Sequence, residues 1–93
     1  MSKDDRQKKN IKVAIDRSKA TGEYCNMAAI HHSRHEFVLD FIFGMGDERN
    51  VVSRVITNPG HAKALLIALE ENISKYEAKF GELAPEPQPQ TLH

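Results

Sequence analysis

The sequence has no tryptophan, a single cysteine and no apolar run of membrane-spanning length. Cys25 stands alone and so excludes an internal disulfide, which is typical of a reducing compartment. The segment MSKDDRQKKN lacks the apolar stretch of a secretory signal. We therefore expect a cytoplasmic protein that does not enter a membrane.

The chain also lacks net charge, since 13 Lys and Arg residues balance 13 Asp and Glu residues. The balance is uneven along the chain. Residues 1–20 hold seven basic and three acidic residues, whereas the remainder of the chain holds six basic and ten acidic residues. Without a global positive field or a basic, aromatic strand face, we do not expect nucleic-acid binding.

No dinucleotide-binding, phosphate-loop or zinc-protease motif is present. The segment HHSRH is the strongest candidate for a chemical site, because His31, His32 and His35 are potential metal ligands. Neighbouring strand residues point to opposite faces, however, so His31 and His32 cannot easily share a metal. His32 and His35 flank the hairpin loop and could do so, but no Cys or carboxylate at a known ligand spacing accompanies them apart from Glu36. Cys25 is expected to be an inert thiol on a strand. We therefore predict no metal, no cofactor and no enzymatic activity.

Apolar alternation predicts strands over residues 11–16, 23–32, 36–43 and 50–57. In the third of these strands, one side carries Phe37, Leu39, Phe41 and Phe43, and we call this side the Phe face. The opposite side, which we call the mixed face, carries Val38, Asp40 and Ile42.

The patterns also predict how the strands pair. If residues 44–50 form a loop and Phe43 faces Val51, then Leu39 faces Val55 and Asp40 faces Arg54. A three-residue loop at Ser33–His35 would place the Phe face beside His31, Ala29, Met27 and Cys25. Ile30, Asn26, Val52 and Ile56 would then join the mixed face.

A helix is predicted from Pro59 to about Phe80. Asn58 is a favoured N-cap, and Gly81 is a typical residue after a helix end. Apolar residues recur along it at intervals of four, three, four, three and four residues: Ala62, Leu66, Leu69, Ile73, Tyr76 and Phe80. We call these six residues, together with the adjacent Leu65, the helix stripe.

These elements predict an α+β fold, with an antiparallel sheet of three to four strands in the order β-β-β-β-α. The single domain spans residues 11–82, between a disordered basic tail (1–10) and a disordered Pro-rich tail (83–93). The helix stripe would cover the Phe face and leave the mixed face open. An open apolar face usually marks a partner surface, so we expect a homo-oligomer.

The segments GEYCNMAAIHHSRHEFVLDF and VVSRVITNPGHAKALLIALEENISKYEAKFGEL resemble a small family of bacterial and archaeal proteins known as a domain of unknown function. The resemblance covers about residues 11–83. It implies a fold and a boundary, because the family has no assigned activity. The element order is also similar to that of SecB-like secretion chaperones, although no motif is shared.

Three functions are consistent with these features. The first is a self-associating binding or adaptor module, with partner contact through the mixed face. The second is a protein that sequesters a small anionic ligand at a subunit interface, where Arg54 would meet the anion. The third is a SecB-like holdase, which rests on topology alone. The candidate interface or ligand residues are Tyr24, Asn26, Val38, Asp40, Ile42, Val52, Arg54 and Ile56.

Overall fold

Three antiparallel strands and one long helix make up the regular structure of residues 11–87, the part of the chain described by a computed structural model. The strands are β1 (Met27–His32), β2 (Phe37–Met45) and β3 (Glu48–Thr57), and they lie side by side in that order. A 3-10 turn (Arg17–Lys19) precedes them, and the helix α1 (Pro59–Phe80) follows. The predicted α+β class and the C-terminal helix are confirmed.

The strand predicted over residues 11–16 is wrong, since this segment has no regular structure. Its alternating apolar residues are exposed, and Val13 reaches 92%. Alternation stabilises a strand only where a neighbouring strand and an apolar surface are available. The predicted tail over residues 1–10 and the end of the other tail lie outside the described residues, whereas residues 83–87 have no regular structure.

β2 and β3 are joined by the two-residue turn Gly46-Asp47, which is tighter than the predicted loop over 44–50. Gly46 has a φ of 63°, as the first central residue of a type II′ hairpin turn requires. Leu39 pairs with Val55 and Asp40 with Arg54, as predicted. The predicted Phe43–Val51 pairing is wrong, because a bulge shifts the later pairs by one residue.

β1 pairs with β2 one residue away from the predicted register, because the connecting loop has four residues, Ser33–Glu36. The Ser33 hydroxyl accepts hydrogen bonds from the backbone N–H groups of His35 and Glu36, which holds this loop. Ile30 therefore pairs with Leu39 and lies on the Phe face, not on the mixed face. A shift of one residue exchanges the two faces of a strand.

The ends of α1 agree with the predicted bounds. The Asn58 side-chain oxygen accepts a hydrogen bond of 2.7 Å from the backbone N–H of His61, and Pro59 occupies the first turn. Gly81, at a φ of 103°, donates its N–H to the carbonyl of Glu77. Both ends depend on residues within one turn, so local sequence was sufficient to predict them.

The core is small. In residues 11–87 the buried apolar side chains are those of Ala29, Leu39 and Ile42. Ala29 and Ile42 lie on the mixed face and are buried there, although this face was expected to be open. None of the residues of α1 is buried. The helix therefore does not close over the sheet to form a complete two-layer core.

Candidate functional site

An apolar surface lies between α1 and the Phe face. There the first half of the helix and the sheet line an open groove of about 310 Å³. The sheet contributes Ile30, Phe37 and Leu39 to it. The helix contributes Ala62, Leu65, Leu66 and Leu69. The predicted side of the sheet is correct, but the helix covers it only in part.

The helix stripe stays accessible along its whole length. Leu69 is 55% exposed, and Phe80 near the helix end is 65% exposed. None of the residues of α1 is classed as buried. Exposed apolar patches of this extent mark interaction surfaces, so the helix stripe and the groove form the principal candidate interface.

At the centre of the mixed face lies an ion pair between neighbouring strands. Arg54 Nε lies 2.6 Å from Asp40 Oδ1, and Arg54 Nη2 lies 2.8 Å from Asp40 Oδ2. The carboxylate is buried, whereas the Arg54 side chain is 60% exposed. This two-pronged geometry is the strong form of a guanidinium–carboxylate contact.

The pair affects the protonation of both partners. The hydrogen bond from Arg54 lowers the pKa of the Asp40 carboxyl against the opposing effect of burial, and the positive charge of Arg54 lowers it further. The same hydrogen bond and the negative charge of Asp40 raise the pKa of Arg54. Both groups stay ionised near neutral pH, and their charges cancel within the sheet.

The apolar candidates on the mixed face differ in accessibility. Ile42 is buried, Val38 and Val52 are half-buried, and Ile56 is 59% exposed. Val52 is the additional residue of the bulge. Of its two neighbours, Ser53 pairs with Phe41 and Val51 pairs with Ile42. Ile56 is thus the most accessible of the predicted apolar contacts on this face.

The residues proposed for an anion site do not converge. The Asn26 amide binds the backbone of β2, because it donates to the Gly44 carbonyl at 2.9 Å and accepts from the Gly44 N–H at 3.0 Å. It thereby takes the place of a backbone partner where β1 has ended. Tyr24 contacts the Phe43 ring edge-on, with ring centres 6.0 Å apart, and so lies at the Phe face. Only Asp40 and Arg54 contact each other, and they neutralise each other.

The histidines also lie apart. His31 is on the mixed face opposite Val38, whereas the His32 ring stacks on Phe37 with centres 5.3 Å apart. Residues 11–87 contain no group of three or more His, Cys, Asp or Glu side chains placed to hold a metal ion. Cys25 is half-buried.

Sequence reasoning assigned the helix stripe to the core and so missed it as a surface. The length of the helix indicated that part of the stripe would stay uncovered, because 22 residues reach about 33 Å at 1.5 Å per residue. That is long for a sheet of short strands, and the groove residues on the helix end at Leu69. The stripe continues beyond them through Ile73, Tyr76 and Phe80 without a sheet partner in the groove.

The described chain is therefore an α+β module with a three-stranded sheet and an incompletely covered apolar groove. It belongs to the family described as "Protein of unknown function (DUF3467)", whose model matches residues 1–85. No curated protein and no solved structure was found to match it. None of the helical structure in residues 11–87 combines the length and hydropathy that a membrane span requires.

Proposed function

We propose that this protein is a small, non-enzymatic binding module that works as an assembly of identical copies. The observation that supports this is the imbalance between its core and its surface. Three apolar side chains are buried in residues 11–87, while the residues of the helix stripe remain 40% exposed or more, apart from the half-buried Ala62. Burial of apolar surface is the main force opposing the entropy cost of folding, and small domains often gain it by association.

A second partner would bind at the mixed face. The ion pair of Asp40 and Arg54 leaves no net charge there, which makes an apolar protein segment a better match than a small anion. Exposed Ile56 and half-buried Val38, which pair across β2 and β3, supply the apolar contact. The exposed Arg54 side chain beside them would favour one orientation of the partner, because its remaining N–H donors need acceptors when the partner covers them.

Size-exclusion chromatography with light scattering tests the assembly directly. We expect the wild-type protein to be a dimer or larger at micromolar concentration. A folded monomer at that concentration, with the helix and sheet intact by circular dichroism, would contradict the proposal.

The variant Ile56→Asp tests whether the mixed face serves self-association or the binding of a different partner. Ile56 is already exposed, so a charge there should leave the fold intact. An unchanged assembly would leave the mixed face free for a different partner. A monomeric variant would instead show that the mixed face is itself the assembly surface.

A further inference from the structure

The helix stripe is self-complementary when two copies run in opposite directions. Its spacing of four, three, four, three and four is the same from either end. In an antiparallel pair about a two-fold axis, Leu69 of one copy meets Ile73 of the other. Likewise Leu66 meets Tyr76, and Ala62 meets Phe80. The smallest residue therefore lies opposite the large terminal aromatic ring, which gives even packing along the seam.

Charges beside the stripe also favour this direction. Lys63 follows Ala62 on one flank, and Glu77 follows Tyr76 on the same flank. Glu70 follows Leu69 on that flank as well. In an antiparallel pair Lys63 of each copy lies beside Glu77 of the other, which forms two opposite-charge contacts, whereas the two Glu70 side chains meet at the two-fold axis and form one like-charge contact. The attractive contacts therefore outnumber the repulsive one by two to one. A parallel pair would place Lys63 near Asn58, which is uncharged, and would set each aromatic residue against its own equivalent. Antiparallel helix dipoles attract as well.

The groove has room for the second copy. In the antiparallel arrangement, Ile73, Tyr76 and Phe80 of one copy lie along the half of α1 that lines the groove of the other. That groove is open and lined almost entirely by apolar side chains. The exposed C-terminal half of each stripe would thus complete the core between α1 and the Phe face of its partner.

The available area suits a stable dimer. The accessible apolar side chains comprise the large residues of the helix stripe together with Ile30, Val55 and Leu83, each close to half exposed. At roughly 75 Å² each, they amount to about 700 Å² per copy and about 1,400 Å² for the pair. Stable, specific interfaces bury about 1,200–2,000 Å².

We propose that two copies form a symmetric dimer in which their α1 helices pack antiparallel along the helix stripe, each filling the groove of the other. This inference rests on the proposed function and specifies which surface performs the self-association.

The first test compares Leu69→Asp with Ile67→Asp by light scattering. Both positions are about half exposed on the same helix, but Ile67 lies on the side away from the stripe. Leu69→Asp is expected to be a folded monomer, whereas Ile67→Asp stays dimeric. If both variants remain dimeric, the interface lies elsewhere and the inference fails, although self-association stands.

A wild-type monomer would overturn both proposals. If that monomer also prevented aggregation of a reduced, unfolded protein, the helix stripe would be assigned to client binding instead.

The second test uses charge exchange and does not depend on the fold of Leu69→Asp. Lys63→Glu should weaken the dimer by about tenfold, because it replaces two attractions with two repulsions. Glu77→Lys should weaken it at least as much, because it also removes the carboxylate oxygen that accepts from the Leu83 N–H at 2.9 Å. The double variant should recover most of the wild-type affinity. A double variant weaker than both single variants would contradict the antiparallel arrangement.

Discussion

Leu39→Ala probes whether the middle of β2 is the centre of the core. Leu39 is 8% exposed, pairs with Ile30 and Val55, and lines the groove under α1. Truncation to Ala removes three carbon atoms, and at about 0.8 kcal/mol per buried methylene the loss is roughly 2 kcal/mol. The space that forms would join an open groove, so the further penalty for a sealed cavity should be small.

Urea denaturation followed by circular dichroism measures this loss, at one fixed protein concentration because association contributes to stability. Val55→Ala is the matched control. Val55 is 43% exposed and loses two carbon atoms, so its cost should stay below about 1 kcal/mol. Equal losses for the two variants would refute the placement of the core at Leu39. A loss near 5 kcal/mol would instead contradict an open groove.

Two further predictions concern the mixed face and the end of β1. Asn26→Ala should destabilise the protein by about 1–2 kcal/mol, because both backbone groups of Gly44 lose their partner; Asn26→Asp, which still accepts from the Gly44 N–H, should fall between Ala and wild type in urea denaturation. Acid should also destabilise the protein. Since Arg54 lowers the pKa of Asp40 in the folded state, the unfolded state binds the proton more readily. The stability contributed by this pair is present above the ordinary carboxyl pKa of about 3.9 and is lost as pH falls through the lower, folded-state value. Urea midpoints between about pH 5 and pH 2 should therefore fall less steeply for Asp40→Asn than for wild type, and parallel slopes would contradict the assigned pair.

The fold class and several details were predictable from sequence. The pairings of Asp40 with Arg54 and of Leu39 with Val55 were predicted correctly, although the Phe43–Val51 pair from which they were counted is wrong. The bulge at Val52 adds one residue and so restores the predicted register over these residues. The β1–β2 register was not predictable, because it depends on whether the loop after His32 holds three residues or four. The bulge at Val52 has no marker in the local sequence, since no glycine or proline stands there.

The candidate site, too, was only partly predictable from the sequence. Its residues on the mixed face were identified because charges within a strand are conspicuous, yet Tyr24 and Asn26 turned out to serve the Phe face and the end of β1. The helix stripe was recognised as apolar but assigned to the interior. Periodicity identifies which residues form one apolar face, but it does not say whether the chain's own sheet covers that face.

The sequence by itself determined the helix from Pro59 to Phe80 and the chemical character of each strand face. Caps act through hydrogen bonds within one turn, and alternation acts between adjacent residues, so neither needs distant partners. Only the tertiary structure decided which face of β1 joins the Phe face, that Ile42 is buried while Ile56 is not, and that α1 leaves a groove open above Leu39. Those features depend on loop lengths, on a bulge and on the packing of segments far apart in the chain, where a change of one residue redirects every side chain that follows.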